Sequence, residues 1–150
     1  MRIHVLAVLV VLGAVAPDFA AEKREKPMLT ESGHTTDELA VVRTRVANKE
    51  AVLLDVREKD DWDEGHLQAA SLVPLSSLKD GMIPAEFLRQ FPKDKPVYLH
   101  CRSGGRVLRC AELLQGQGYD IRPLKAGYQK LVEAGFEKAA ASPTPEKPRP

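Results

Sequence analysis

Apolar residues in this chain fall into short stretches that switch between helical spacing and continuous runs. Leu39, Val42 and Val46 recur at i, i+3 and i+7, which predicts a first amphipathic helix over Thr36–Ala47, with Thr35 and Glu38 spaced as a capping box. Ala51-Val52-Leu53-Leu54 is a continuous apolar run that leads into Asp55-Val56-Arg57-Glu58, the pattern of a strand buried on both faces of a parallel sheet. Leu75–Leu78 and Ala85–Phe91 suggest two short helices separated by Gly81 and Pro84. Val97–His100 then has strand character, and Val107, Cys110, Ala111 and Leu114 lie at i, i+3, i+4 and i+7 of a helix with one buried face. Gly116-Gln117-Gly118 stops that helix, Tyr119–Arg122 gives a last strand, and Tyr128–Ala134 a last helix. Helices alternating with short apolar strands imply an α/β fold, a mostly parallel sheet with helices on both faces and right-handed crossovers.

The ends of the chain read differently. Residues 1–21 carry a basic start at Arg2, an apolar run from Val5 to Ala16 and then small residues, which is the organisation of an export signal peptide. The run is shorter than the roughly 20 residues a bilayer span needs, so no stable membrane span is expected and the mature protein is expected to be periplasmic or secreted. An uncleaved N-terminal anchor is the alternative, because Pro17 follows Ala14-Val15-Ala16 and Phe19 precedes Ala20-Ala21. Residues 22–33 are expected to be a polar linker, 34–137 the globular domain, and 138–150, with Ser-Pro-Thr-Pro and Lys-Pro-Arg-Pro, a disordered tail.

Composition narrows the function. A chain of 150 residues with 43% hydrophobic residues has room for one domain, and a net charge of +1 with scattered aromatics lacks the basic surface that nucleic-acid binding requires. His4, His34, His66 and His100 have no partner at metal-ligand spacing, so no metal or other cofactor is implied, and His66 is better read as satisfying a backbone carbonyl. Cys110 belongs to the apolar stripe of its helix and reads as core.

The chemistry concentrates in Cys101-Arg102-Ser103-Gly104-Gly105-Arg106, a turn between the Val97–His100 strand and the following helix. Gly104 and Gly105 can adopt positive φ, so their backbone N–H groups, with the helix N-terminus, can form an anion cradle at whose rim Cys101 stands. Those amides and the guanidinium groups of Arg102 and Arg106 would favour an anionic, nucleophilic sulfur. The reading against this is a small thiol packed at the end of a buried strand. By period-two alternation His100 faces the opposite side of the strand from Cys101. Asp55 and Arg57 end the preceding strand at the carboxyl edge, where open α/β sheets hold ligands. They read either as part of the site or as an ion pair tying the strand to the next loop.

Cysteine phosphatases place five residues between cysteine and arginine, whereas here the arginine arrives one position earlier and Val107 occupies the phosphatase position. The six-residue loop, with its Cys-x-x-Gly-x-Arg spacing, resembles that of the rhodanese sulfurtransferases. Asp55-Val56-Arg57, Trp62, Gly65-His66-Leu67, Ala70 and Leu72-Val73-Pro74 resemble the upstream part of that family's signature, and Ala126-Gly127-Tyr128 with Ala134-Gly135-Phe136 resembles its C-terminal part. Trp62, Leu67 and Ala69 depart from the commonest residues of the pattern, and the resemblance covers about residues 35–137.

The resemblance implies a rhodanese-like domain and a sulfurtransferase. Cys101 would take the outer sulfur from a small anionic donor such as thiosulfate as a persulfide, with Arg102, Ser103, Gly104, Gly105 and Arg106 holding the anion, and pass it to cyanide or a thiol, including a protein thiol. A non-enzymatic persulfide carrier or binding module is the alternative from another class, and a cysteine phosphatase or arsenate reductase a third.

Overall fold

The computed structural model describes residues 27–79, 89–114 and 116–140. The expected signal peptide, the first half of the linker, the start of the Ala85–Phe91 helix and residues 141–150 of the tail lie outside the described residues.

Helix α1 (Leu39–Ala47) leads to strand β1 (Val52–Asp55), α2 (Lys59–Glu64), β2 (Ala70–Leu72), α3 (Leu75–Lys79), β3 (Pro96–His100), α4 (Arg106–Leu114), β4 (Asp120–Pro123) and α5 (Tyr128–Glu133). The four strands form one sheet in the order β2-β1-β3-β4, every pair parallel. Register sets Leu53 beside Tyr98, Leu54 beside Leu99 and Asp55 beside His100, so the two central strands end level with each other.

Alternation along those strands divides the core in two. Leu54, Val56, Val97, Leu99 and Cys101 pack on one face with Val107, Cys110 and Leu114 of α4 and Leu75 and Leu78 of α3. Leu53 and Tyr98 pack on the other with Val42 and Val46 of α1 and Leu131 of α5. Both faces of β1 and β3 are therefore dry, which is why these strands read as continuous apolar runs. Each fully buried Leu or Val contributes on the order of 1.5–3 kcal/mol relative to exposure.

Apart from the Ala85–Phe91 helix, whose start lies outside the described residues, the expected elements are present, with differences that have local causes. The capping box does not form. Helix α1 starts at Leu39 after an N-cap Glu38 that makes no side-chain cap, while Thr35 Oγ1 accepts the N–H of Asp37 at 3.2 Å. The Asp37 carboxylate is drawn away into the core, where it accepts from Tyr98 Oη at 2.6 Å and Arg122 Nη1 at 2.8 Å. Burial raises the pKa of Asp37, but these bonds and the charges of Arg122 and Arg45 outweigh it, and the carboxyl titrates below its ordinary range. Strand β2 and helix α2 carry no periodic signal. The strand has three residues at the sheet edge, and α2 is Lys59-Asp60-Asp61-Trp62-Asp63-Glu64 with none of them buried.

Ordered structure also extends past both expected limits of the domain. Residues 28–33, expected as linker, turn back on themselves: Thr30 N–H donates to His34 O at 2.7 Å, Leu29 bridges Thr35, and Thr35 N–H donates to Pro123 O at 2.8 Å. At the other end Lys138, expected in the tail, bridges Leu67, and Ala139 N–H donates to His66 O at 2.9 Å. Among the described residues no helix is long and apolar enough to cross a membrane.

Tyr98 spans the interior between α1 and the sheet, its hydroxyl joined to Asp37 and, at 3.1 Å, to Arg45. Tyr98→Phe keeps the ring and removes the hydroxyl that donates to the Asp37 carboxylate and accepts from Arg45, so it should cost about 1–3 kcal/mol in urea unfolding with an unchanged m-value.

Candidate active site

Cys101 is the first residue beyond β3, at the carboxyl edge of the sheet, and only 1% of it is exposed. The backbone around it is fixed on both sides. Val56 N–H donates to His100 O at 2.9 Å, Leu124 N–H to Leu99 O at 2.9 Å, and Tyr128 N–H to Cys101 O at 2.8 Å. The chain from β4 to α5 thus lies against the loop that carries the thiol.

Within residues 101–106 one amide already addresses the sulfur. Gly104 N–H donates to Cys101 Sγ at 3.1 Å. Gly104 makes this possible by adopting φ +87°, a region that L side chains rarely enter, and a Cβ there would also stand 2.5 Å from Lys125 O. Gly105 differs from the expectation, since its φ is not positive and a Cβ on it would meet nothing within 4 Å. The N–H groups of Ser103, Gly105, Arg106 and Val107 donate to no protein acceptor among the described residues. They are the orphan donors of the α4 N-terminus and the turn before it, the groups an anion would engage.

Gly127 closes the loop from outside. Its φ of −84° suits any residue, yet a Cβ on it would lie 1.9 Å from Arg102 O. Its glycine character serves close approach of two backbones and nothing else.

The charged side chains take separate positions. Arg106, half-exposed, points its guanidinium at Asp61 of α2, 3.3 Å away, so its charge is shared with that carboxylate. Arg102 is exposed and, with Arg57, Asp61, Glu64, Gly65, Tyr128 and Gln129, lines a polar cleft of about 290 Å³ beside the loop. Asp55 and Arg57 form a buried ion pair. Arg57 Nη2 lies 2.6 Å from Asp55 Oδ2, donates to Gly65 O at 2.8 Å, and its guanidinium carbon sits 4.3 Å from the Tyr128 ring centroid. The pair ties the end of β1 to the next loop, and Arg57, though not Asp55, also lines the cleft.

His100 projects to the opposite face from Cys101, as alternation along β3 requires. It is fully buried, its Nε2 lies 3.7 Å from Asp55 Oδ2, and neither ring nitrogen has a hydrogen-bond partner among the described residues. Burial lowers its pKa to about 4, the charge of Arg57 adding to the fall and that of Asp55 opposing it. The ring is therefore neutral near pH 7 and too far round the strand to serve as a base for the thiol. His66 Nδ1 donates to Trp62 O at 3.0 Å while its ring stacks on the indole, the carbonyl role read for it in the sequence. Cys110 is buried in the α4 stripe with Val107 and Leu114. Among the described residues no group of three His, Cys, Asp or Glu side chains is placed to hold a metal ion.

Sequence reasoning missed the role of Asp61, which sits in an unpatterned helix, and that of His34, whose Nε2 lies 2.8 Å from Gly104 O. It placed Gly127 in a motif without finding its function, which only the approach of Arg102 O reveals.

Two measurements test this geometry. Gly127→Ala must push the loop away from β4–α5 and should cost about 1–3 kcal/mol in chemical unfolding, whereas Gly105→Ala, with open space around its Cβ, should stay within about 0.5 kcal/mol of wild type. The depressed pKa of His100 makes its contribution to stability full above the unfolded value of about 6.5, declining as pH falls towards about 4, because the unfolded chain binds a proton that the folded chain refuses. His100→Leu should therefore lose less stability than wild type between pH 7 and pH 4.5, by up to about 1.4 kcal/mol per pH unit, read from urea midpoints at the two values.

The family model described as Rhodanese-like domain matches residues 38–134. An uncharacterised protein of Bacillus subtilis, YqhL, is 37% identical over 87 residues, covering 57% of this chain and 64% of that protein. The human thiosulfate:glutathione sulfurtransferase is 29% identical over 111 residues, covering 68% of this chain and 96% of the human one. The chain spans between about half and two thirds of the length of the Bacillus protein and of two further curated relatives. Among solved structures, a human single-domain sulfurtransferase superposes with a TM-score of 0.55 at 29% identity, over 65% of this chain and 95% of the other. With its parallel sheet, its cysteine at the carboxyl edge and a family match over most of its described residues, this chain belongs to the rhodanese-like domain family.

Proposed function

We propose that the protein is a sulfurtransferase that carries a sulfane sulfur on Cys101 as a persulfide. The observation that carries this reading is the Gly104 N–H aimed at Cys101 Sγ in a loop where the N–H groups of Ser103, Gly105, Arg106 and Val107 have no protein acceptor among the described residues. An electropositive backbone around sulfur stabilises a persulfide anion as it does a thiolate.

With thiosulfate as donor, Cys101 sulfur attacks the outer sulfur, the S–S bond of thiosulfate breaks, and sulfite leaves with the bonding pair. Arg102 at the cleft and the free turn amides receive the anionic donor and the departing sulfite. In the second half-reaction the carbon of cyanide, or a thiolate, attacks the outer sulfur of the persulfide, and Cys101 leaves as thiolate, restoring the enzyme. Similarity to the human thiosulfate:glutathione sulfurtransferase favours a small thiol as acceptor. Export to a periplasmic or extracellular location belongs to the same proposal and rests on the pattern of residues 1–21.

Thiocyanate formation from thiosulfate and cyanide tests the reading. Wild type should turn over and Cys101→Ser should fall to the uncatalysed rate, while intact mass after thiosulfate alone should show one added sulfur in wild type and none in the variant. A persulfide that forms and persists without turnover identifies a carrier instead, and no added sulfur overturns both. Protein recovered from its own host outside the cytoplasm, processed to begin between Pro17 and Glu22 or retaining Met1 as an anchor, would support export; full-length protein retained in the cytoplasm would refute it.

A further inference from the structure

The 104–105 peptide joins the two glycines of the loop. Gly104 and Gly105 each tolerate φ of either sign, and no side chain of their own restrains the peptide between them. In a trans peptide the C=O and N–H point in opposite directions, so whatever holds Gly104 O also fixes where Gly105 N–H points. The contact made there is His34 Nε2 at 2.8 Å, in a buried hydrogen bond that spans 70 positions of sequence.

His34 is itself held by a directed chain. Because a carbonyl only accepts, Nε2 must carry the proton, and in the neutral ring Nδ1 then accepts from Ser32 Oγ at 2.9 Å. Ser32 Oγ, having given its proton, accepts from Thr30 Oγ1 at 2.9 Å, and Thr30 Oγ1 in turn accepts His34 N–H at 3.2 Å. The turn bearing these residues is fastened to the sheet through Thr35 N–H and Pro123 O.

We propose that His34 is a positioning residue for sulfur transfer: its Nε2–H holds the 104–105 peptide in the orientation that presents Gly105 N–H to an anion, beside the Gly104 N–H that addresses Cys101 Sγ. This rests on the sulfurtransferase reading for its consequence in turnover, though not for its effect on the loop. A flip of the peptide would replace an N–H with a carbonyl oxygen and repel the donor anion.

The test compares His34→Leu, which has no donor, with His34→Gln, whose amide carries a donor at similar reach, and Ser32→Ala, which frees the ring tautomer. Two readouts are taken: kcat and KM for thiosulfate, and the ratio of Cys101 alkylation rates by iodoacetate and by the neutral iodoacetamide. His34→Leu should lower kcat/KM about 10-fold or more and lower the iodoacetate-to-iodoacetamide ratio about 5-fold, with His34→Gln restoring both to within about 3-fold of wild type. Ser32→Ala should move both in the same direction by a smaller factor, and supplies the answer if His34→Leu does not fold. A ratio unchanged in His34→Leu, equal changes with both reagents, or a Gln variant no better than Leu would overturn the proposal. A wild type inactive with thiosulfate whose alkylation ratio still depends on His34 would refute the proposed reaction and leave the positioning role standing.

Discussion

Everything at the site depends on two stretches of backbone lying closer together than side chains would allow. Arg102 O sits where a Cβ of residue 127 would have to be, and Lys125 O where a Cβ of residue 104 would have to be. Contact at that distance between main chains leaves little freedom, because protein interiors are close-packed and peptide planes do not compress. Hydrogen bonds from Leu124 N–H to Leu99 O and from Tyr128 N–H to Cys101 O complete the fastening. The loop inherits the rigidity of the sheet although it has no regular structure of its own. A small anion bound by backbone amides needs that rigidity, since oriented dipoles assist chemistry only when they do not have to reorganise.

The two faces of the sheet have different tasks. Cys101 continues the odd-numbered side of β3 with Val97 and Leu99, among apolar side chains of α3 and α4. His100 and Asp55 lie on the other side, near the Arg57 guanidinium. The ion pair is enclosed where breaking it would leave an uncompensated buried charge, and its carbonyl contact to Gly65 holds the loop that leads to the cleft wall. Charge close to the sulfur comes chiefly from the backbone, because Arg106 is engaged by Asp61 and Arg102 stands at the cleft.

Much of this could be read from residues alone. Leu53-Leu54 and Val97 to Leu99 announce buried parallel strands because both their faces are apolar, and Val107, Cys110 and Leu114 announce a helix because only one face is. Cys101 and the turn after it follow from residue type and order. What escaped has no one-dimensional trace. Helix α2 is short and polar, β2 has three residues, and in place of the Thr35–Glu38 cap the neighbouring Asp37 carboxylate is held by Tyr98 and Arg122. His34 lies 70 residues from its partner and on no periodic face, and Gly127 is glycine for a neighbour's sake. Distances of this kind exist only after the sheet has assembled.

The bond between Thr35 and Pro123 has a bearing on how the protein behaves among other chains. Strand β4 is an outer strand of the sheet, and outer strands invite pairing with foreign ones. At the end of β4 nearest the thiol, proline supplies no donor, and its carbonyl is already occupied by Thr35. A stray strand arriving there meets neither half of a ladder rung, so the margin of the sheet beside the reactive sulfur is shut to recruitment.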